Sequence, residues 1–334
     1  MTKAVGLFSG GLDSVLALAL IRDQGIRVQA LHFYTTFASP GRKGGVDRAE
    51  EVRRRAANLG INLTLMDATE DFLEMIRHPR FGYGSGVNPC LDCRVISLRK
   101  AKVVMEAVGA HFVFTGEVLG QRPMSQRRDT LRVVERESGL EGRLLRPLSA
   151  RLLPPSVPEQ KGWVDRARLL DLSGRSRRPQ IALAREYGIT DYPQPAGGCF
   201  LTDKILARRI LDLLPRRRER ALSREDLILS RIGRHFRLSD VAKVIVGRWE
   251  AENDFLEGYA QDRWVFQVVA IPGPVALALG TLSPAEISQA ASLVARYGDA
   301  KMEPLVQVRY SRNEEAHLIV VPPATDAESA AWRI

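Results

Sequence analysis

At 334 residues the chain is long enough for two domains with cores of their own, and its 45 % hydrophobic content excludes a disordered protein. No apolar run approaches the roughly 18 residues of a membrane span, so a cytoplasmic protein with no membrane partner is expected. Three cysteines exclude a disulfide scaffold and point to chemistry or metal. The net charge of +10 is arginine-rich and clustered at 120–132 ("GQRPMSQRRDTLR"), 174–180 ("GRSRRPQ") and 214–226 ("LPRRRERALSRED"), the footprint of a polyanion partner.

In chain order, Val5, Leu7 and Phe8 close an apolar run that reads as a buried parallel strand, "KAVGLFS". From Leu12 onward, Val15, Leu16, Leu18, Ala19 and Ile21 recur at helical spacing. Between the two lies "GLFSGGLDS" (Gly6 to Ser14). Gly10 and Gly11 permit backbone angles and approaches that a side chain blocks, and the helix behind them points its N–H groups at the loop, which suits an anion. Ser9 and Ser14 add hydroxyls, while no lysine lies in the loop, so the Walker pattern is absent. "RVQALHFYT", "INLTLMDAT" and "AHFVFTGEV" follow as strands, with helices over 13–24, 46–59 and 94–108. The fold class expected is α/β with an open, mostly parallel sheet, its ligand at the C-terminal ends of the strands. His32 ends the second strand, where a lone histidine is more often structural than a contact to adenosine.

Residues 144–200 read as loops around one helix, "RRPQIALAREYG", and 203–230 as basic helix. A boundary falls near 222–230. Beyond it "RHFRLS", "KVIVGR", "WVFQVVAI", "VALALG", "PLVQVRYS" and "HLIVVPP" read as strands, and "SPAEISQAASLVARYG" as a Ser-capped helix, giving a smaller α+β domain. The expected division is 1–205, a basic helical linker 206–229, and 230–325.

The cysteines are Cys90 and Cys93 in "GVNPCLDCRVISLRK" and Cys199 in "QPAGGCFLTDK". A CxxC pair places two sulfurs on one turn, and Gly197 and Gly198 allow close approach of the third. Three thiolates suit an iron–sulfur cluster with one open iron, a zinc ion with a water ligand, or a metal-free pair in which one cysteine carries a persulfide and another resolves it.

SGGLDS resembles the PP-loop signature SGGxDS of the N-type ATP pyrophosphatases. "NPCLDCR" and "GGCF" are similar to the two cysteine motifs of the tRNA 2-thiouridylases, "FTGEVLGQRPMSQ" to a segment of the 4-thiouridine synthases, and "PQIALAREYGI" to the helix before the second cysteine in both. Cys90 stands where many 2-thiouridylases have an aspartate. CxxC with one distant cysteine matches the branch that carries a [4Fe–4S] cluster. The resemblance covers about residues 4–205 and implies a sheet of the adenine nucleotide α-hydrolase type. It implies an ATP-dependent tRNA sulfurtransferase with ATP, Mg²⁺ and a [4Fe–4S] cluster. Ser9, Gly10, Gly11, Asp13, Ser14 and Gly116 would bind the nucleotide, with Glu117 and Gln121 close by. Asp13, Cys93 and Cys199 would be catalytic, and Cys90, Cys93 and Cys199 the metal ligands. The sulfur donor would be sulfide or a persulfide carrier.

The chain starts directly at the PP-loop strand, without the RNA-binding domains that precede it in 4-thiouridine synthases, so tRNA capture is expected from the C-terminal portion. "GRHFRLSDVAKVIVGRWEAENDFLEGYAQDRWVFQVVAIPGP" (233–274) resembles the NFACT-R (DUF814) domain, which implies RNA binding there. Candidate RNA contacts are Arg127, Arg128, Arg216, Arg217, Arg218, Arg234, Arg237 and Arg248, with His235 nearby. The reading leaves room for a homodimer. Two other readings remain open: a PP-loop enzyme that thiolates or amidates a small molecule, and an RNA-binding module with an inactive PP-loop half.

Overall fold

The computed structural model describes residues 1–35, 48–193, 199–217 and 221–334, with the side chains of Arg48 and Arg217 left aside. Gly197, Gly198 and Arg218 therefore lie outside the described residues. The chain divides into two compact units, Met1–Thr202 and Asp203–Ile334.

In the first unit, β1 (Lys3–Leu7), α1 (Leu12–Asp23), β2 (Arg27–Tyr34), α2 (Arg48–Asn58), β3 (Leu63–Asp67) and α3 (Thr69–Arg77) run in succession. They are followed by α4 (Cys90–Ala107), β4 (Phe112–Phe114), α5 (Arg128–Ser138), β5 (Leu144–Leu145), α6 (Val157–Gln160) and α7 (Arg178–Glu186). The sheet order is β3-β2-β1-β4-β5, and every pairing is parallel, as the strand–helix alternation predicts. Because strand side chains alternate, neighbouring residues feed opposite layers. Ala4, Phe8, Ala30, Phe112 and Phe114 join Leu12, Val15, Leu16 and Ile21 of α1 on one face. Val5, Leu31 and Val113 join Val95, Leu98, Ala101 and Val134 of α4 and α5 on the other. Burial on both faces leaves the strand ends, where α1 and α4 begin, as the place for chemistry.

Helices α3 and α5 were absent from the sequence reading. The expected strand over 110–118 is three residues long, because Thr115–Val118 leaves the sheet to contact α1.

The second unit opens with α8 (Lys204–Leu213) and α9 (Arg224–Leu229), the helices of the basic segment. It continues through β6 (Arg234–Arg237), β7 (Lys243–Val246), α10 (Glu250–Glu257), β8 (Val265–Val268), β9 (Ala276–Leu279), α11 (Pro284–Tyr297), β10 (Val306–Arg312), β11 (Glu315–Val321) and α12 (Asp326–Trp332). Its sheet is antiparallel, in the order β11-β10-β8-β9-β7-β6. Ser283 caps α11 with Glu286 in reciprocal capping-box bonds. The helix packs Ala290, Ala291, Leu293 and Val294 on Phe236, Val244, Val246, Phe266 and Val308. No helix among the described residues is long and apolar enough to cross a membrane.

Candidate functional site

Gly10 adopts φ +71°, the left-handed region that favours glycine, and a Cβ there would stand 3.2 Å from Val52 Cγ2. Gly11 is extended and caps α1 through its backbone, without a side-chain bond. The two serines brace the turn. Ser14 Oγ donates to Gly11 O at 2.8 Å, Ser9 Oγ donates to Ser14 Oγ at 3.2 Å, and the Gly11 amide donates to Ser9 Oγ at 3.3 Å. The result is a pre-shaped turn at a helix N-terminus with Ser9 exposed, the geometry an anion needs. His32 sits behind it, buried, with Nδ1 2.8 Å from Phe8 O.

Gly116 touches this turn directly. A Cβ on it would lie 2.5 Å from Asp13 C and O and 2.6 Å from Ser14 N, so only glycine lets the loop after β4 rest on the first turn of α1. The same loop returns Gln121, whose Nε2 donates to Asp13 Oδ2 at 3.0 Å. Asp13 Oδ1 and Gln121 Oε1 are buried without a hydrogen-bond partner. A buried carboxylate oxygen left unmatched beside a phosphate-shaped loop fits a Mg²⁺ ion or its water shell.

Glu117 is almost wholly buried and ties this loop to the cysteine helix. It accepts from Arg146 Nε at 3.1 Å and Thr115 Oγ1 at 3.1 Å, and pairs with Arg94 Nε at 3.5 Å. Arg146 reaches on to Glu135 at 3.0 Å. Burial raises the carboxyl's affinity for its proton, but Arg94 and Arg146 outweigh that and hold Glu117 below the ordinary carboxylate range. At Arg94 burial opposes the charge and Glu117 overrides it, so the guanidinium stays protonated.

Helix α4 begins at Cys90 itself, four residues earlier than the expected helix, which places Cys90 and Cys93 on one face of the first turn. Asp92 between them is anchored, accepting from the amides of Arg80 at 3.0 Å and Phe81 at 3.2 Å. The Val87 amide donates to Leu201 O at 3.0 Å, so the segment that carries Cys199 is laced to the loop that precedes Cys90. The three thiols are free and half-buried. Burial raises Cys93 to about 11; Arg94 and Arg122 pull it down, while Cys90 and Cys199 push it further up. Burial likewise raises Cys199, against the Leu201 amide and Arg122, with Cys90 adding to the rise.

The structure thus brings all three cysteines into one electrostatic neighbourhood, within a shared scaffold with the glycine loop. No three His, Cys, Asp or Glu side chains among the described residues stand close enough to share one metal ion. An all-thiolate donor set is the usual chemistry of an iron–sulfur cluster.

Sequence reasoning missed Arg94 and Arg146, whose role appears only once Glu117 is buried between them, and Arg122, which lies in the quoted motif but had no partner assigned. Among the basic candidates, Arg127 is exposed and lies 3.5 Å from Asp129, and Arg128 begins α5, also exposed. Arg216 binds Asp212 and Asp240, and Arg237 binds Asp212 at 2.5 Å. Arg234 and Arg248 sit together at one end of the second sheet. His235 is buried and held well below its usual range, by burial first and then by Lys243 and Arg209, so it is neutral.

Residues 1–151 match the family of the thiamine biosynthesis protein ThiI, and residues 233–333 match the NFACT protein RNA binding domain. The tRNA-specific 2-thiouridylase MnmA of Nitratidesulfovibrio vulgaris is 38 % identical over 96 residues, which are 28 % of this chain and 26 % of that protein. The corresponding enzyme of a Roseiflexus species is 27 % identical over 217 residues, 60 % of this chain and 58 % of its own length. The chain spans about a quarter of the first relative and under two thirds of the second. A crystal structure of a 4-thiouridine synthetase–RNA complex with bound ATP is similar at 20 % identity and a TM-score of 0.41, covering 68 % of this chain and 53 % of that one.

Proposed function

Because the chain joins a PP-loop segment of the tRNA thiolation type to an NFACT RNA-binding segment, we propose that it is an ATP-dependent sulfurtransferase acting on a uridine of tRNA. One observation carries the reading. The glycine loop, the loop 115–121 and the cysteine helix are locked together through Gly116 on Asp13 and through Arg94–Glu117–Arg146, so nucleotide and sulfur chemistry share one scaffold. The relatives with tRNA-specific 2-thiouridylase activity support the choice of acceptor.

The uridine carbonyl oxygen is a poor leaving group. Its attack on the α-phosphorus of ATP expels pyrophosphate and leaves the base adenylated; sulfur then adds at the same carbon and AMP departs with the original oxygen. Ser9, Gly10, Gly11 and Ser14 would hold the pyrophosphate part, their geometry set before the ligand arrives. Asp13 would hold Mg²⁺ through the oxygen that Gln121 leaves free. Cys90, Cys93 and Cys199 would hold a [4Fe–4S] cluster, which when bound supplies an open iron for sulfide. Burial of the Cys93 and Cys199 thiols favours their neutral form, so these two carry little thiolate at neutral pH in the apoprotein. In this reading residues 1–205 form the catalytic domain, 206–229 a basic linker and 230–325 the RNA-binding domain, in a cytoplasmic enzyme.

The test is nucleoside mass spectrometry of unmodified tRNA incubated anaerobically with iron-reconstituted protein, Mg-ATP and sulfide. An ATP-dependent thionucleoside is the expected product. Release of AMP with no thionucleoside would overturn tRNA as acceptor and point to a small molecule; no AMP at all would overturn the activity. Iron content tests the ligand set separately, since Ala at Cys90, Cys93 or Cys199 should each abolish cluster loading.

A further inference from the structure

At one end of the second sheet, the segments 230–234, 247–249 and 333–334 lie side by side. Arg209 on α8 donates to Ser230 O at 2.9 Å and Gly233 O at 2.8 Å. Gly233 takes φ +71°, and a Cβ there would stand 2.6 Å from Val246 O. Arg234 donates to Gly247 O at 3.2 Å, and its guanidinium lies 4.7 Å from the centroid of Tyr297. The chain end is fastened to the same strand: Arg333 bridges to Phe236, and the Ile334 amide donates to His235 O at 3.1 Å.

Arg248 is fixed by Glu252, a nearly buried carboxylate that accepts from Arg248 Nε and NH2 at 2.5–3.1 Å and from its amide at 2.9 Å. So held, Arg248 lies 4.3 Å from the ring centroid of Trp249. Trp249 is nevertheless 56 % exposed. An indole with a guanidinium against its ring and more than half its surface in water has an aromatic face on which a planar group can stack. Around it Arg209, Arg234 and Arg248 share Glu252, Arg333 adds its charge beside Arg209 and Arg234, and Asp203 lies within reach of Arg209, so the guanidiniums outnumber the carboxylates that face them.

We propose that Trp249 is a stacking platform for an unpaired RNA base, and that Arg234 and Arg333 beside it hold the flanking phosphates. The chemistry is that of single-strand recognition: a π-face that accepts any base, within a cationic groove that follows the backbone. Arg248 serves the platform from beneath, its charge already engaged by Glu252. Arg209 adds buried positive potential below the surface. The assignment rests on the RNA-directed reading above and names where in 233–333 the RNA is gripped.

The experiment measures binding of the full-length protein to a fluorescent oligouridine and to unmodified tRNA over about 50–200 mM salt. Trp249→Ala should weaken oligouridine binding about tenfold and leave the salt slope unchanged, while Trp249→Phe keeps most of the affinity. Arg234→Gln and Arg333→Gln should each reduce the slope by about one. Trp249 is exposed, so an unchanged circular dichroism melt for Trp249→Ala verifies the fold. Wild-type affinity in Trp249→Ala, with RNA still bound, overturns the platform and leaves the sulfurtransferase reading standing. A wild-type chain that binds neither RNA overturns both this site and tRNA as the acceptor.

Discussion

Gly116, in the proposed nucleotide site, has no room for a side chain, because the backbone of Asp13 occupies the space of its missing Cβ. Gly116→Ala must push the 115–121 loop off α1, at a cost of about 1–3 kcal/mol. Calorimetric titration with Mg-ATP should show a large loss of affinity with the fold retained. Lys243 offers a pH test in the other unit. It is 2 % exposed beside Asp212 at 3.5 Å; burial lowers its pKa from 10.5 to about 8, Asp212 pulls back, and Arg237 and Arg209 add to the fall. The unfolded chain therefore binds this proton more tightly than the folded one, and stability from this group rises as pH climbs from 8 to 10.5. Lys243→Met leaves Asp212 with Arg216 and Arg237, so it should raise Tm at pH 7, with the advantage shrinking by pH 10. A constant difference across that range would contradict the assignment.

At the scale of elements, the arginine–glutamate chain ties α4 and the residue after β5 to the loop that rests on α1. Glu117→Gln leaves Arg94 without its carboxylate and Arg146 with Glu135 alone, and urea denaturation should register a loss of about 1–3 kcal/mol. Little of this was legible beforehand. SGGLDS and CxxC announce themselves because their chemistry is local: a turn that needs glycine, and two sulfurs on one helical turn. Glu117 reads as a residue near the nucleotide, but its partners Arg94 and Arg146 appear only once the fold buries it between them, and nothing in the sequence singles out Trp249. Helix α5 was obscured because Arg127 and Arg128 look like a charge cluster, although Leu131 and Val134 carry its buried face. The parallel sheet was the easiest part, since alternation of strand and helix leaves few other topologies.

At the scale of the whole molecule, each unit buries a hydrophobic core drawn from its own residues. The fragment 203–334 should accordingly unfold in one cooperative transition and keep the salt-dependent RNA affinity of the full chain; an aggregated or molten fragment would refute its independence. The Val87–Leu201 hydrogen bond has a bearing on biosynthesis. Cys90 and Cys93 leave the ribosome roughly a hundred residues ahead of Cys199, an interval of about 5–20 s at ordinary elongation rates. During that time the first two thiols emerge without the strap that brings them their third companion, so the complete trio exists only after Leu201 has been translated, and a nascent chain in an oxidising moment can lose the site before it has ever been assembled.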